Sequence, residues 1–79
     1  MARLGLHTEA EQAAAMNLAG REYHSGLGAV DARDVAGVEY AFGYLNAIHD
    51  LAVQEGAEIF AGQVAAMIEK LTRYERSSR

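Results

Sequence analysis

The 79-residue chain contains no cysteine, which excludes disulfides, thiolate zinc sites, iron–sulfur clusters and thiol catalysis together. Its folding is therefore indifferent to the redox state of its surroundings. Proline is absent as well, and no segment is repetitive or of low complexity, so element boundaries must come from caps and glycines. No apolar run approaches the roughly 20 residues that cross a bilayer, and Met1 to Leu6 lack the apolar stretch of a secretory leader. A cytoplasmic chain with no membrane contact is expected. Helical carboxylate metal sites use Glu-x-x-His, but the residues three before the histidines are Leu4, Arg21 and Asn46. No metal and no cofactor are expected.

What is present reads as helix. Thr8-Glu9-Ala10-Glu11 has the form of a capping box, in which the Thr8 hydroxyl accepts from a first-turn N–H and Glu11 reaches back. Helix 1 is predicted over Glu9–His24, stopping in Ser25-Gly26-Leu27-Gly28, where two glycines permit turn angles. Asp31 is the next expected N-cap, with Asp34 in the first turn favouring the positive end of the helix. Helix 2 is then expected over Ala32–Glu55, roughly 35 Å long, with close contact or a bend at Gly37 or Gly43. Gly56 ends it, and helix 3 follows over Ala57–Tyr74. Residues 1–7 are read as an N-terminal arm and 75–79 as a flexible basic tail.

These elements predict an all-α fold: a single domain over 1–79, a small three-helix bundle with a long central helix 2 sandwiched between helices 1 and 3. A chain this short buries only about 60–65% of its unfolded surface, so completion by homodimerisation is expected. In helix 2, Val35, Val38, Phe42, Leu45, Ala52 and Val53 share one face with His49, while Tyr40, Tyr44 and Leu51 form a second apolar flank. Such a helix must touch two neighbours. In helix 3, Phe60, Val64, Met67, Leu71 and Tyr74 recur at spacings of 4, 3, 4 and 3, a seam for helix 2 or for its copy in a second subunit. Helix 1 offers a weaker face of Ala13, Met16, Ala19 and Tyr23, with Leu18 apart from it.

His49, on an apolar face, is either a hydrogen-bonded core or interface residue or a tuned functional group, and Asn46 one turn back is placed to orient its ring. Asp50 points about 100° away on a helix and makes no pair by adjacency alone. Ser25 adjoins His24, yet sequence neighbours rarely form a nucleophile and base. Gly26-Leu27-Gly28 lacks the third glycine and the Lys-Ser/Thr ending of a phosphate loop. A small helical enzyme, with His49 or His24 in a shared pocket, is the least favoured reading.

The net charge of −4 is unevenly distributed: residues 31–58 hold six carboxylates against Arg33 alone, whereas Lys70, Arg73, Arg76 and Arg79 cluster at the end. An acidic surface repels nucleic acid and suits a basic protein partner. Tyrosines combine broad apolar area with a polar tip, so Tyr40 and Tyr44 with Glu39, Asp50 and Glu55 form the expected partner-binding surface. The leading expectation is a non-enzymatic protein-binding module, an inhibitor that occludes a basic or nucleic-acid-binding surface of another protein. Phage-encoded inhibitors of host defence, anti-CRISPR proteins among them, are similar in size and charge, which is the whole of the likeness. The alternative is a structural subunit of a helical homo-oligomer.

Overall fold

In the computed structural model, residues 6–79 are described; residues 1–5, most of the expected N-terminal arm, lie outside them. The fold is all-α, three helices in succession: α1 (Glu9–Asp31), α2 (Val35–Gln54) and α3 (Glu58–Ser77). Each packs against both of the others, so α2 is not sandwiched between its neighbours. Connections as short as 32–34 and 55–57 turn the chain back on itself and make successive helices antiparallel.

The Thr8 capping box forms as expected. The Glu11 N–H donates to Thr8 Oγ1 at 3.0 Å and the Thr8 N–H to Glu11 Oε1 at 3.1 Å. The expected stop at Ser25-Gly26-Leu27-Gly28 does not occur, and α1 continues through both glycines to Asp31. It is the longest helix, at 23 residues against 20 for α2. The reason lies in packing. Gly26 is buried, and a Cβ placed there would sit 2.9 Å from Ala41 Cβ on α2 and 2.9 Å from Leu71 Cδ2 on α3. The missing side chain serves close approach of three helices rather than a turn.

The chain reverses instead at Arg33, a non-glycine residue held at φ 57°. The Asp34 N–H donates to Ala29 O at 2.9 Å and the Arg33 N–H to Val30 O at 3.1 Å, the two bonds of a Schellman motif. This shifts the next N-cap by three residues: Asp34, not Asp31, accepts the Gly37 N–H at 3.1 Å. Helix α2 ends as expected at Gly56, at φ 74°, where Ala57 donates to Ala52 O and Gly56 to Val53 O. Helix α3 runs past Tyr74 to Ser77, so the expected tail is mostly helical, and Arg79 reaches back to both Glu75 oxygens at 2.8 Å.

The core is built from Leu6, then Ala15, Ala19 and Val30 of α1, Ala41, Leu45, Ile48 and Ala52 of α2, and Phe60, Ala61, Val64 and Leu71 of α3. On α1 the inward line runs through Ala15 and Ala19, with Met16 and Tyr23 packed beside it, and Ala13 is exposed. On α2 the inward line lies roughly 70° around the helix from the expected face, at about 100° per residue. Val35 and Val53 are consequently 70% and 59% exposed, and His49 falls at the core's edge. Val38 and Phe42 on one side and Tyr44 and Leu51 on the other still pack on the core, so the helix touches two neighbours as its composition requires. The α3 seam is spent inside the chain: Phe60, Val64 and Leu71 are buried and Met67 packs beside them.

The end of the expected arm is fixed too. Leu6 is in the core, its carbonyl accepts from Gln12 Nε2 at 3.0 Å, and His7 Nε2 lies 3.0 Å from Glu55.

Gly26→Ala adds a Cβ where Ala41 cannot yield without moving α2, and this overrides its gain of roughly 1 kcal/mol in helix propensity. A melting temperature lower by roughly 5–10 °C is expected. Gly28→Ala meets no atom within 4 Å, keeps the propensity gain, and raises melting by roughly 4–8 °C. Circular-dichroism melts of both variants check the pair; a loss of stability in Gly28→Ala indicates a turn there.

Candidate functional site

The inward line of α2 leaves an outward side of unusual character. Tyr40 is 61% exposed, and its ring lies 6.1 Å from that of Tyr44, one turn on and half-buried against the core. Glu39 and Asp50, both exposed, stand eleven residues apart, near three turns, and so share a second line roughly 100° from the tyrosines. Between the two lines lie exposed Ala36, Gly43 and Ala47. No lysine or arginine occurs anywhere from Val35 to Gln54. The solvent side of α2 is thus an uncharged strip of small residues, with tyrosine on one edge and carboxylate on the other.

Four of the five residues expected to bind a partner, Glu39, Tyr40, Tyr44 and Asp50, lie along the edges of this strip. The fifth does not. Glu55 is the C-cap of α2, its side chain is only 10% exposed, and it is engaged by His7. The pairing was invisible in the sequence, because His7 meets Glu55 only once the reversal at 32–34 lays α1 antiparallel to α2 and sets its start beside the end of α2. Ala36, Gly43 and Ala47 carry no signal of exposure in the sequence, because small uncharged residues mark a packed helix face as readily as an exposed one.

His49 is half-buried, with Nδ1 3.9 Å from Asp50 Oδ1, beyond hydrogen-bonding distance. Asn46 does not orient it: its Nδ2 donates to the Phe42 carbonyl at 2.9 Å. His24 is exposed with its ring 5.4 Å from that of Tyr23, and Ser25 is exposed beside it. Among the described residues no three His, Cys, Asp or Glu side chains converge as metal ligands would, and no helix is long and apolar enough to cross a membrane.

A concavity of about 380 Å³ opens at the end of the bundle where α1 and α3 finish and α2 begins. Val30, Val35, Val38 and Phe42 give it an apolar lining, and Arg33 and Glu39 stand among its polar residues. Sequence reasoning missed it because it forms only where the turn from α1 to α2 meets the distant end of α3. At the same end of the bundle Tyr74, 39% exposed, donates from its hydroxyl to Asp31 Oδ1 at 2.6 Å, joining the ends of α3 and α1. Beside it, the Arg79 guanidinium forks onto Glu75 and holds that carboxyl below its ordinary range.

The hydrogen bond to the Asp31 carboxylate, and then its charge, raise the Tyr74 phenol above the ordinary tyrosine value. A raised folded-state pKa gives stability that is complete below the unfolded tyrosine pKa and is lost as pH rises through the folded value. Ultraviolet titration of tyrosinate is expected to show a late alkaline step that Tyr74→Phe removes. An unchanged profile in that variant excludes the clamp in solution.

No protein-family model matches this chain, and no curated protein or solved structure is significantly similar to it.

Proposed function

We propose that this chain is a non-enzymatic protein-binding module: a small acidic inhibitor that lays the outward side of α2 on a basic surface of another protein and keeps nucleic acid from it. The observation that supports this reading is the composition of that side, with Tyr40 and Tyr44 on one edge, Glu39 and Asp50 on the other, and no cation on the helix. Each part has a physical role. Exposed tyrosine supplies apolar area with few rotamers to freeze, Ala36, Gly43 and Ala47 let a partner's side chains come close to the backbone, and the carboxylates steer a cationic surface into register. A surface that normally binds phosphate would present such cations and attract these carboxylates in place of the nucleic acid.

Tagged protein, incubated with extract of the source cell or its host at low and high salt, tests the reading. A basic, nucleic-acid-binding protein is expected at low salt, displaced by added duplex DNA or by salt. Glu39→Lys/Asp50→Lys exchanges two attractive charges for two repulsive ones and is expected to cut recovery by roughly tenfold or more, since about 1.4 kcal/mol suffices. Both positions are exposed, so the fold should survive, as circular dichroism will show. Recovery that is equal in the variant, or indifferent to DNA, overturns the proposal.

A further inference from the structure

The rotation that turns Ala41, Leu45, Ile48 and Ala52 inward also decides what α2 shows beside α3. Val35, Val38 and Phe42 line the groove with Glu75 and Ser78, so this side of α2 borders α3. Helical spacing continues it through His49 to Val53, and continues the Glu75 side of α3 back through Thr72, Ile68 and Ala65. Val35, Val53 and Ala65 are exposed, and Val38, Phe42, His49, Ile68 and Thr72 are half-buried. The result is an apolar seam along the bundle. Besides His49, its hydrogen-bonding side chains are spent on their own helices: Thr72 Oγ1 donates to Ile68 O at 2.8 Å and Asn46 Nδ2 to Phe42 O at 2.9 Å. Past the groove, charges stand only along its borders, Glu39 and Asp50 on α2 and Glu58, Glu69, Arg73 and Arg76 on α3. Arg73 is paired with Glu69, whereas Glu39 and Arg76 make no ion pair among the described residues.

We infer that two copies of this chain pair through this seam about a two-fold axis running along the bundle, which lays α2 of each over α3 of the other. The border charges select that occupant and that axis. Because Val35 and Val38 line the groove with Ser78 and Glu75 and the two helices are antiparallel, Glu39 is level with the stretch from Arg73 to Arg76, Gly43 with Glu69, Asp50 with Gly62 and Gln54 with Glu58. The axis keeps these levels. Glu39 of each copy therefore meets Arg76 of the other, while Glu69 comes over Gly43, Asp50 over Gly62 and Glu58 over Gln54, so each remaining carboxylate faces an uncharged residue. A two-fold across the helices would instead set Glu39 opposite Asp50 of the other copy, twice over by symmetry. The contact is isologous and closes at two. Eighteen residues of rise and two helix widths give a footprint of about 27 by 20 Å, or roughly 1,100 Å² over both copies. That lies just below the size at which stable specific interfaces begin, so pairing is reversible and depends on concentration. Glu39 also stands on the surface proposed for inhibition, so pairing and inhibition compete for that carboxylate, whereas Tyr40 and Tyr44, on the far edge of the strip, stay uncovered.

Sedimentation equilibrium of the pure chain from about 1 µM to about 500 µM tests it over the range where reversible contacts populate. No target is present, so the outcome is independent of whether the chain inhibits anything. The wild type is expected to pass from monomer to dimer and no further. Ala65→Arg, at an exposed position in the middle of the seam and with unchanged helicity, is expected to remain monomeric. Glu39→Arg and Arg76→Glu are each expected to weaken pairing by roughly tenfold, and the double variant Glu39→Arg/Arg76→Glu to recover it, because the axis brings the exchanged charges together again. Ile59 is 83% exposed on the side of α3 turned away from the seam, and Ile59→Asp is expected to pair as the wild type does. A wild type that stays monomeric throughout, pairing kept in Ala65→Arg, pairing lost in Ile59→Asp, or a double variant no better than its singles each overturns the inference.

Discussion

One missing side chain sets the geometry of this molecule. At Gly26 the backbone of α1 lies so near Ala41 and Leu71 that a Cβ would stand 2.9 Å from each. Close packing of three helices around so small a core needs such a point, because short chains bury little and must bury it well. Since α1 is held there, it continues to Asp31, and its last turn reaches the end of α3. Tyr74 then finds Asp31, Val30 enters the groove, and the reversal falls on Arg33 in a left-handed conformation. A left-handed non-glycine residue costs roughly 1–2 kcal/mol, which packing upstream and the Asp34 cap downstream offset.

The same contact decides which side of α2 turns inward. Apolar side chains cover more than half of its circumference, so hydrophobic periodicity alone leaves the rotation open. Placing small Ala41 against Gly26 selects the line Ala41, Leu45, Ile48 and Ala52. What remains outside is then fixed: the tyrosine edge, the carboxylate edge and the uncharged residues between them. The candidate surface is thus a consequence of how the core packs.

Local signals were legible because they act locally. The Thr8-x-x-Glu11 box and the stop at Gly56 each depend on neighbours a few residues away, and both hold. The α3 seam was legible because one strong periodicity with a polar opposite face admits one reading. Gly26 and Gly28 were not, since a glycine pair signals a turn and close packing equally, and only the partner helices distinguish them. Asp31 and Asp34 are both sound N-caps; the choice followed from where α1 ended. Of the candidate site, the pairing of Tyr40 with Tyr44 came straight from helical spacing, whereas Glu39 and Asp50 were legible only as carboxylates of the same helix. Glu55 misled because its partner His7 lies at the far end of the sequence, and the groove because no single element contains it.

The continuity of α1 through its two glycines is tested most directly by native-state hydrogen exchange of the amides from Ser25 to Val30. Amides bonded within a continuous, tightly packed helix open only with the core, so protection within about tenfold of that at Leu45 and Ile48 is expected. Exchange at rates near those of an unstructured peptide would show a turn at Ser25–Gly28 and contradict the close three-helix contact at Gly26.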